Sequence, residues 1–405
     1  MIKTVKVPHI LLPKKGVDMS KYAVIACDQY TSNLEYWDSL KAEIGNSVST
    51  FHMIYPEAYL ENTDNDKYIK GINSNIRHYL KNNDLEDIGE CFILVERVTS
   101  YGVRRLGLIL AVDLEDYSYE KGTNALIRAS EATIVERIPP RLKIRKDAPI
   151  ELPHILVLFD DPEKTIVEKL YSQRESLEKV YDFELNKDGG HIRGYKVSKT
   201  NEVVQKFNDL FIKNTNGLLF IVGDGNHSLA TAKAHWEIVK KDLSEKERES
   251  HPARFALVEA NNLYDDGIIF EPIHRVLFNV GNDFKAELHQ VCEGEFVSFT
   301  YSKERGKETL YLSKNAPMAY LKVQTFLDKY LKEHSETRID FIHDEDELIA
   351  VANKNPGSVA IAMPALTKED LFAYLASGTV LPRKSFSMGH ANEKRYYLEA
   401  KRIIN

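Results

Sequence analysis

Residues 218–236 read LLFIVGDGNHSLATAKAHW and place four kinds of reactive side chain in one turn. Asp224 offers a carboxylate that could hold a metal, His227 an imidazole that could move a proton or meet an anion, Asn226 an amide and Ser228 a hydroxyl. Gly223 and Gly225 flank the acid and let the backbone approach a ligand closely. The chemistry such a turn serves is anion binding, above all of phosphate: a helix start aims unpaired N–H groups and the positive end of its dipole outward. The bland alternative is a strand-to-helix turn in which Asp224 or Asn226 merely caps the helix.

Other candidates lie elsewhere in the chain. Glu131 and Arg141 belong to LIRASEATIVERIPPRLKIR (126–145), the largest basic cluster in an acidic sequence. A carboxylate lifted toward neutrality by burial can take a hydroxyl proton, which makes Glu131 the candidate general base; an exposed helix glutamate is the alternative. His274-Arg275, after Pro272, reads as an anion clamp or a structural ion-pair partner, and Lys384-Ser385 as a further cation or a solvated surface. Asp28 closes the apolar run YAVIAC, and Glu57 follows Tyr55-Pro56.

The elements that would position these groups follow from periodicity. Leu218–Val222 is apolar and of strand length, and good helix formers follow from His227. Cys91–Val98 and Arg105–Val112 form a hairpin around Gly102, and Asp182–Lys196 a second one turning at Gly189-Gly190. His154–Phe159, Arg254–Ala260 and Phe51–Tyr55 read as strands. Helices are predicted over Ser32–Ile44 (capped by Ser32), Lys67–Leu80 and Asn201–Thr215. Within 126–145 Pro139-Pro140 should stop any helix. Toward the C-terminus Met318–Val323 reads as a strand, Thr325–His334 as a helix and His343–Val351 as a helix with an acidic first turn. The pattern divides the chain into a main α/β unit, 1–278, and a smaller α+β unit, 279–405, with the long elements interleaved.

Composition narrows the function. With 405 residues, 43% hydrophobic and 28% charged, the chain is an ordinary globular sequence. A net charge of −7 argues against nucleic acid as a partner. No run is long enough to span a membrane, and the first eight residues lack a signal peptide's apolar centre. Three scattered cysteines fit a reducing cytoplasm, with Cys27 and Cys91 as buried thiols.

The turn Asp224-Gly225-Asn226-His227-Ser228-Leu229-Ala230 resembles the Asp-Gly-His-His-Arg-x-x-Ala turn of the bacterial domain-of-unknown-function 1015 family. Asp28 with Tyr30, Tyr55-Pro56-Glu57, Ser130-Glu131-Ala132-Thr133, Pro272-Ile273-His274-Arg275 and Leu381-Pro382-Arg383-Lys384-Ser385 match its landmarks in order. The turn is also distantly similar to that of the ParB/sulfiredoxin superfamily, which includes free serine kinases. This resemblance implies an α+β fold of mixed sheets and helices with a phosphate-binding βα turn in its central part. It implies a small-molecule phosphotransferase, an ATP- or ADP-dependent kinase of free L-serine or a similar hydroxyl metabolite, with Mg²⁺ on Asp224. Glu131, Asp224 and His227 would be catalytic, and Asp28 and Glu57 would touch substrate. Gly223, Gly225, Asn226, Ser228, Arg141, His274, Arg275 and Lys384 would bind nucleotide phosphate. A phosphatase of a metabolite such as phosphoserine and a non-catalytic nucleotide-gated regulator are the alternatives. One departure matters: Ser228 stands where the motif has arginine, the residue suited to bidentate phosphate contact. Arg141, His227, Arg275 and Lys384 are the candidates to replace that charge.

Overall fold

The computed structural model describes residues 2–60, 65–214, 216–292 and 294–404. The chain packs as two compact units, 1–129 with 133–268 and 390–405, and 130–132 with 269–389. The C-terminal segment thus returns to the first unit.

A ten-stranded mixed sheet forms the first unit. Its strands are β1 (Val5–Lys6), β2 (Phe92–Val98), β3 (Arg104–Asp113), β4 (Tyr117–Ser118), β5 (Ile127–Ala129), β6 (Leu156–Phe159), β7 (Glu178–Leu185), β8 (Gly190–Val197), β9 (Phe220–Asp224) and β10 (Phe255–Asn262). They run in the order β7-β8-β2-β3-β10-β6-β9-β5-β4, with β1 added on β3. The pairs β6–β10, β9–β5 and β4–β5 are parallel, and the long hairpins β2–β3 and β7–β8 antiparallel. Both predicted hairpins form, with Gly102 at φ +76° in the first turn. The central strands read as unbroken apolar runs because both faces are covered: Val157, Phe159, Phe220 and Val222 pack in one core and Ile93, Val95 and Ile109 in another.

Helices α1 (Leu34–Ile44), α2 (Asn65–Lys81), α3 (Ile138–Arg145), α4 (Thr200–Lys213) and α5 (Asn226–Val239) accompany this sheet. Asn33, not Ser32, caps α1 by accepting the Tyr36 N–H. The predicted helix 201–215 ends at Lys213, and Thr215 lies outside the described residues. Phe51–Tyr55 is not a strand: Thr50–Met53 is a single 3₁₀ turn capped by Ser49. Pro139 and Pro140 open α3 rather than stopping a helix, since the first turn needs no N–H from them.

The second unit carries a five-stranded antiparallel sheet of β11 (His274–Phe278), β12 (Phe296–Ser302), β13 (Gly306–Leu312), β14 (Arg338–Ile342) and β15 (Val359–Ile361), ordered β13-β12-β15-β11-β14. Residues 316–333 form one helix, α6 (Ala316–Glu333), instead of a strand and a helix. Asn315 caps it, and Ala319, Tyr320, Val323, Leu327 and Tyr330 are buried at helical spacing. Helix α7 (Glu345–Lys354) carries the expected acidic first turn behind Asp344. No helix among the described residues is long and apolar enough to cross a membrane.

Candidate active site

Strand β9 delivers Asp224 to the sheet edge, Gly225 turns at φ +81°, and α5 begins at Asn226. A side chain at 225 would meet the Ile155 backbone, its Cβ lying 3.0 Å from that Cα, so the close approach requires glycine. Gly225, at the cap position, offers no side-chain acceptor to the first turn of α5. Asp224 accepts the Gly225 N–H at 2.8 Å and faces the Lys394 ammonium at 3.2 Å.

The antiparallel pairing of β6 with β9 sets Leu156 opposite Asp224, which brings His154 beside the turn. His154 Nε2 lies 3.2 Å from Ser228 Oγ and 3.6 Å from the Asp28 carboxylate. Its Nδ1 is 2.8 Å from the Tyr397 hydroxyl, which donates in turn to Cys27 Sγ at 3.1 Å. Burial alone would raise the Asp28 carboxyl, but the His154 charge overrides it and holds Asp28 well below the usual range. Burial pushes the Cys27 thiol up to about 12, keeping it an inert thiol.

Glu57 and Arg141 form an ion pair. Burial raises the Glu57 carboxyl against the pull of that guanidinium. Arg141, Glu57, Ser228, His154, Thr231 and Tyr397 line one cavity of about 180 Å³, whose other walls include Met53, Ile54, Ile72, Ile76 and Ile144. His227 is engaged elsewhere. Its Nε2 accepts the Ile134 N–H at 3.2 Å, and its carbonyl accepts from Thr231.

Within the second unit Glu131 bridges two backbone N–H groups, those of Lys384 at 3.1 Å and Ser385 at 3.0 Å. Lys384 turns the chain at φ +57° and is exposed. Burial raises the Glu131 carboxyl, opposed by these bonds and by the charges of Lys384 and Arg275. Arg275 is wholly buried, bonded to the Ile273 carbonyl and Gln324 and stacked by Tyr320 and Phe341. His274 Nδ1 accepts the Met363 N–H. These two side chains therefore have internal partners within their own unit.

The first unit thus gathers Asp28, Glu57, Arg141 and the 223–228 turn, and adds three residues that sequence reasoning misses: His154, Lys394 and Tyr397. In the sequence His154 is only the start of a strand, and its partner strand cannot be seen locally. Lys394 and Tyr397 arrive because Tyr396–Tyr397 pairs with Val24–Ile25. Arg97 fixes the same segment by donating to the carbonyls of Asn392, Glu393 and Lys394 at 2.6–3.1 Å. Among the described residues no group of three or more His, Cys, Asp and Glu side chains could hold a metal.

The sequence profile of a family described as "Protein of unknown function (DUF1015)" matches residues 11–402. The chain belongs to this family. No curated protein matches it. Among solved structures it is similar to a conserved hypothetical protein from Pyrococcus furiosus, at 12% identity over 72% of this chain and 90% of that one, with a TM-score of 0.36. A free serine kinase in complex with AMP is similar at 11% identity over 72% and 87%, with a TM-score of 0.37. SbnI with a C-terminal truncation, from Staphylococcus aureus, is similar at 10% over 69% and 81%, with a TM-score of 0.37. Likeness at this level leaves the function to the site itself.

Proposed function

We propose that this DUF1015 protein is a small-molecule phosphotransferase, an ATP- or ADP-dependent kinase of a hydroxylated α-amino acid such as free L-serine. One observation carries the reading: Ser228, in the first turn of α5, and an Arg–Glu pair line the same cavity. Phosphate suits the first, since a helix N-terminus stabilises negative charge without further desolvation cost. A zwitterion suits the second. Its carboxylate exchanges for Glu57 on Arg141 and its ammonium for Arg141 on Glu57, so one internal pair becomes two with little loss.

Lys394 brings a cation to the turn, which suits a nucleotide's phosphates. Mg²⁺ commonly takes one or two carboxylates and the substrate's phosphates, and Asp224 is the carboxylate at the turn; the ion, when bound, would supply charge neutralisation. Thr231 and Ser228 offer hydroxyls along the wall, and Tyr397 closes it. Glu131, in the second unit, keeps the role of base that the family resemblance implies.

The test is direct. Purified full-length protein is incubated with ADP or ATP, Mg²⁺ and an amino-acid pool, and new phosphorylated products are sought by mass spectrometry. Phosphoserine or a related product is expected, and Arg141→Gln should raise KM for the acceptor more than it lowers kcat. Nucleotide binding without product would leave the gated regulator. The phosphatase reading is favoured by Ser228 at the motif's arginine position, since a monophosphate needs fewer cations; phosphate release from phosphoserine without nucleotide would establish it.

A further inference from the structure

Three neighbouring groups surround one buried side chain, His154, that the proposed kinase reaction leaves unused. The Tyr397 hydroxyl has one proton and two lone pairs. It lies 3.1 Å from Cys27 Sγ, and it accepts the Cys27 N–H at 3.2 Å. The hydroxyl also lies 2.8 Å from His154 Nδ1, within hydrogen-bond reach. On the other side of the ring, Nε2 faces the Asp28 carboxylate at 3.6 Å, which can only accept. An imidazolium suits both faces of the ring, with Nδ1–H toward the tyrosine oxygen and Nε2–H toward the Asp28 carboxylate. Its Nε2 also lies 3.2 Å from Ser228 Oγ, at the start of α5.

We propose that His154 is the cation that binds the anion at the 223–228 turn, filling the role of the arginine that the motif would place at position 228. The inference rests on the phosphate reading of the turn and adds the residue that makes it selective for anions. The 3.6 Å separation from Asp28 is an ion pair rather than a tight hydrogen bond, so Nε2–H can turn toward an oxyanion beside Ser228 without breaking a strong contact. The groups facing the ring are Asp28, the Ser228 hydroxyl, the Tyr397 hydroxyl, and at longer range Asp224 and Glu57, with Lys394 held on Asp224. Burial works against charge on His154, but Asp28 first, then Asp224 and Glu57, outweigh it and raise its pKa above the ordinary range. Binding at this site therefore weakens as pH rises and the imidazolium is lost.

Sulfate tests this, because its charge is constant over the range that matters. Titration calorimetry on the full chain should show sulfate affinity falling about tenfold between about pH 6 and about pH 9, the size of one charge-assisted contact. His154→Gln should lose about tenfold at the lower pH and show no pH dependence, whereas His154→Arg should restore affinity and keep it flat across the range. In the unmodified protein, sulfate should move the NMR titration midpoint of the His154 ring upward. A His154→Gln protein with the wild-type affinity and profile, or a midpoint indifferent to sulfate, overturns the inference and leaves the phosphate reading standing. A wild-type protein that binds neither sulfate nor ADP overturns both.

Discussion

Gly225→Ala isolates the close approach on which the turn depends. Gly225 sits at φ +81°, and an alanine Cβ there would lie 3.0 Å from Ile155 Cα and 3.2 Å from its Cγ1. Two costs follow. Left-handed backbone costs a non-glycine residue about 1–2 kcal/mol, offset in part by about 0.4–1 kcal/mol because alanine restricts the unfolded chain. The contact adds about 1–3 kcal/mol, since Ile155 Cα belongs to backbone leading into β6 and cannot rotate away. Gly102→Ala separates these terms: φ is +76° and its Cβ would meet nothing within 4 Å. Gly102→Ala should therefore cost at most about 1.5 kcal/mol, and Gly225→Ala about 1–3 kcal/mol more. Urea unfolding followed by tryptophan fluorescence measures both, because Trp37 and Trp236 are both buried in the first unit and Trp236 lies on α5 itself. Relief of the contact would swing the helix start, so ADP affinity should fall with stability. Equal losses for the two alanines would refute the argument that Ile155 dictates glycine at 225.

Other outcomes follow from the same geometry. Glu131→Gln should lower turnover by about two to four orders of magnitude while ADP binding stays near wild type; hydrogen exchange at Lys384 and Ser385 should quicken, since one of their two acceptors is lost. Exchange changing with no loss of turnover would make Glu131 a loop anchor only. Lys394→Met leaves Asp224 without its 3.2 Å partner and should weaken ADP binding about tenfold, measured by calorimetry. The Asp28–His154 pair sets a pH window for stability. His154 is raised, so its contribution is whole below its ordinary value near 6.5 and is lost as pH climbs through the folded value; Asp28 is lowered, so its contribution is whole above about 3.9 and fails only in stronger acid. Urea midpoints of the wild type should thus decline from near neutrality upward, and those of His154→Gln should not.

The parts of this site that are local in sequence can be read from it. A strand, two glycines and a run of helix formers between 218 and 236 announce the turn because each signal acts on its own neighbours. Arg141 and Glu57 are visible as candidates, but not as partners 84 residues apart. The elements that differ from expectation do so for equally physical reasons. Pro139-Pro140 stops a helix that precedes it and starts one that follows it, and only the fold decides which. Met318–Val323 is a short, mostly apolar run of strand length, yet Asn315 and Pro317 start a helix whose buried stripe continues to Tyr330.

The missing arginine shows most clearly where local reading ends. A phosphate cares how much positive charge reaches it, not which segment carries that charge. At this turn one cation arrives with the C-terminal segment as Lys394, held by carbonyl contacts to Arg97, and an imidazole arrives across the sheet as His154. Both come from parts of the chain that a motif at 224–230 does not include. Under the proposed phosphate reading, a substitution inside the motif leaves room for the turn to bind its anion, because antiparallel pairing and chain return can deliver the charge from outside. The discriminating quantity is the number of cationic side chains at the 223–228 turn, and the variants at His154, beside Ser228, and Lys394, on Asp224, measure it one charge at a time.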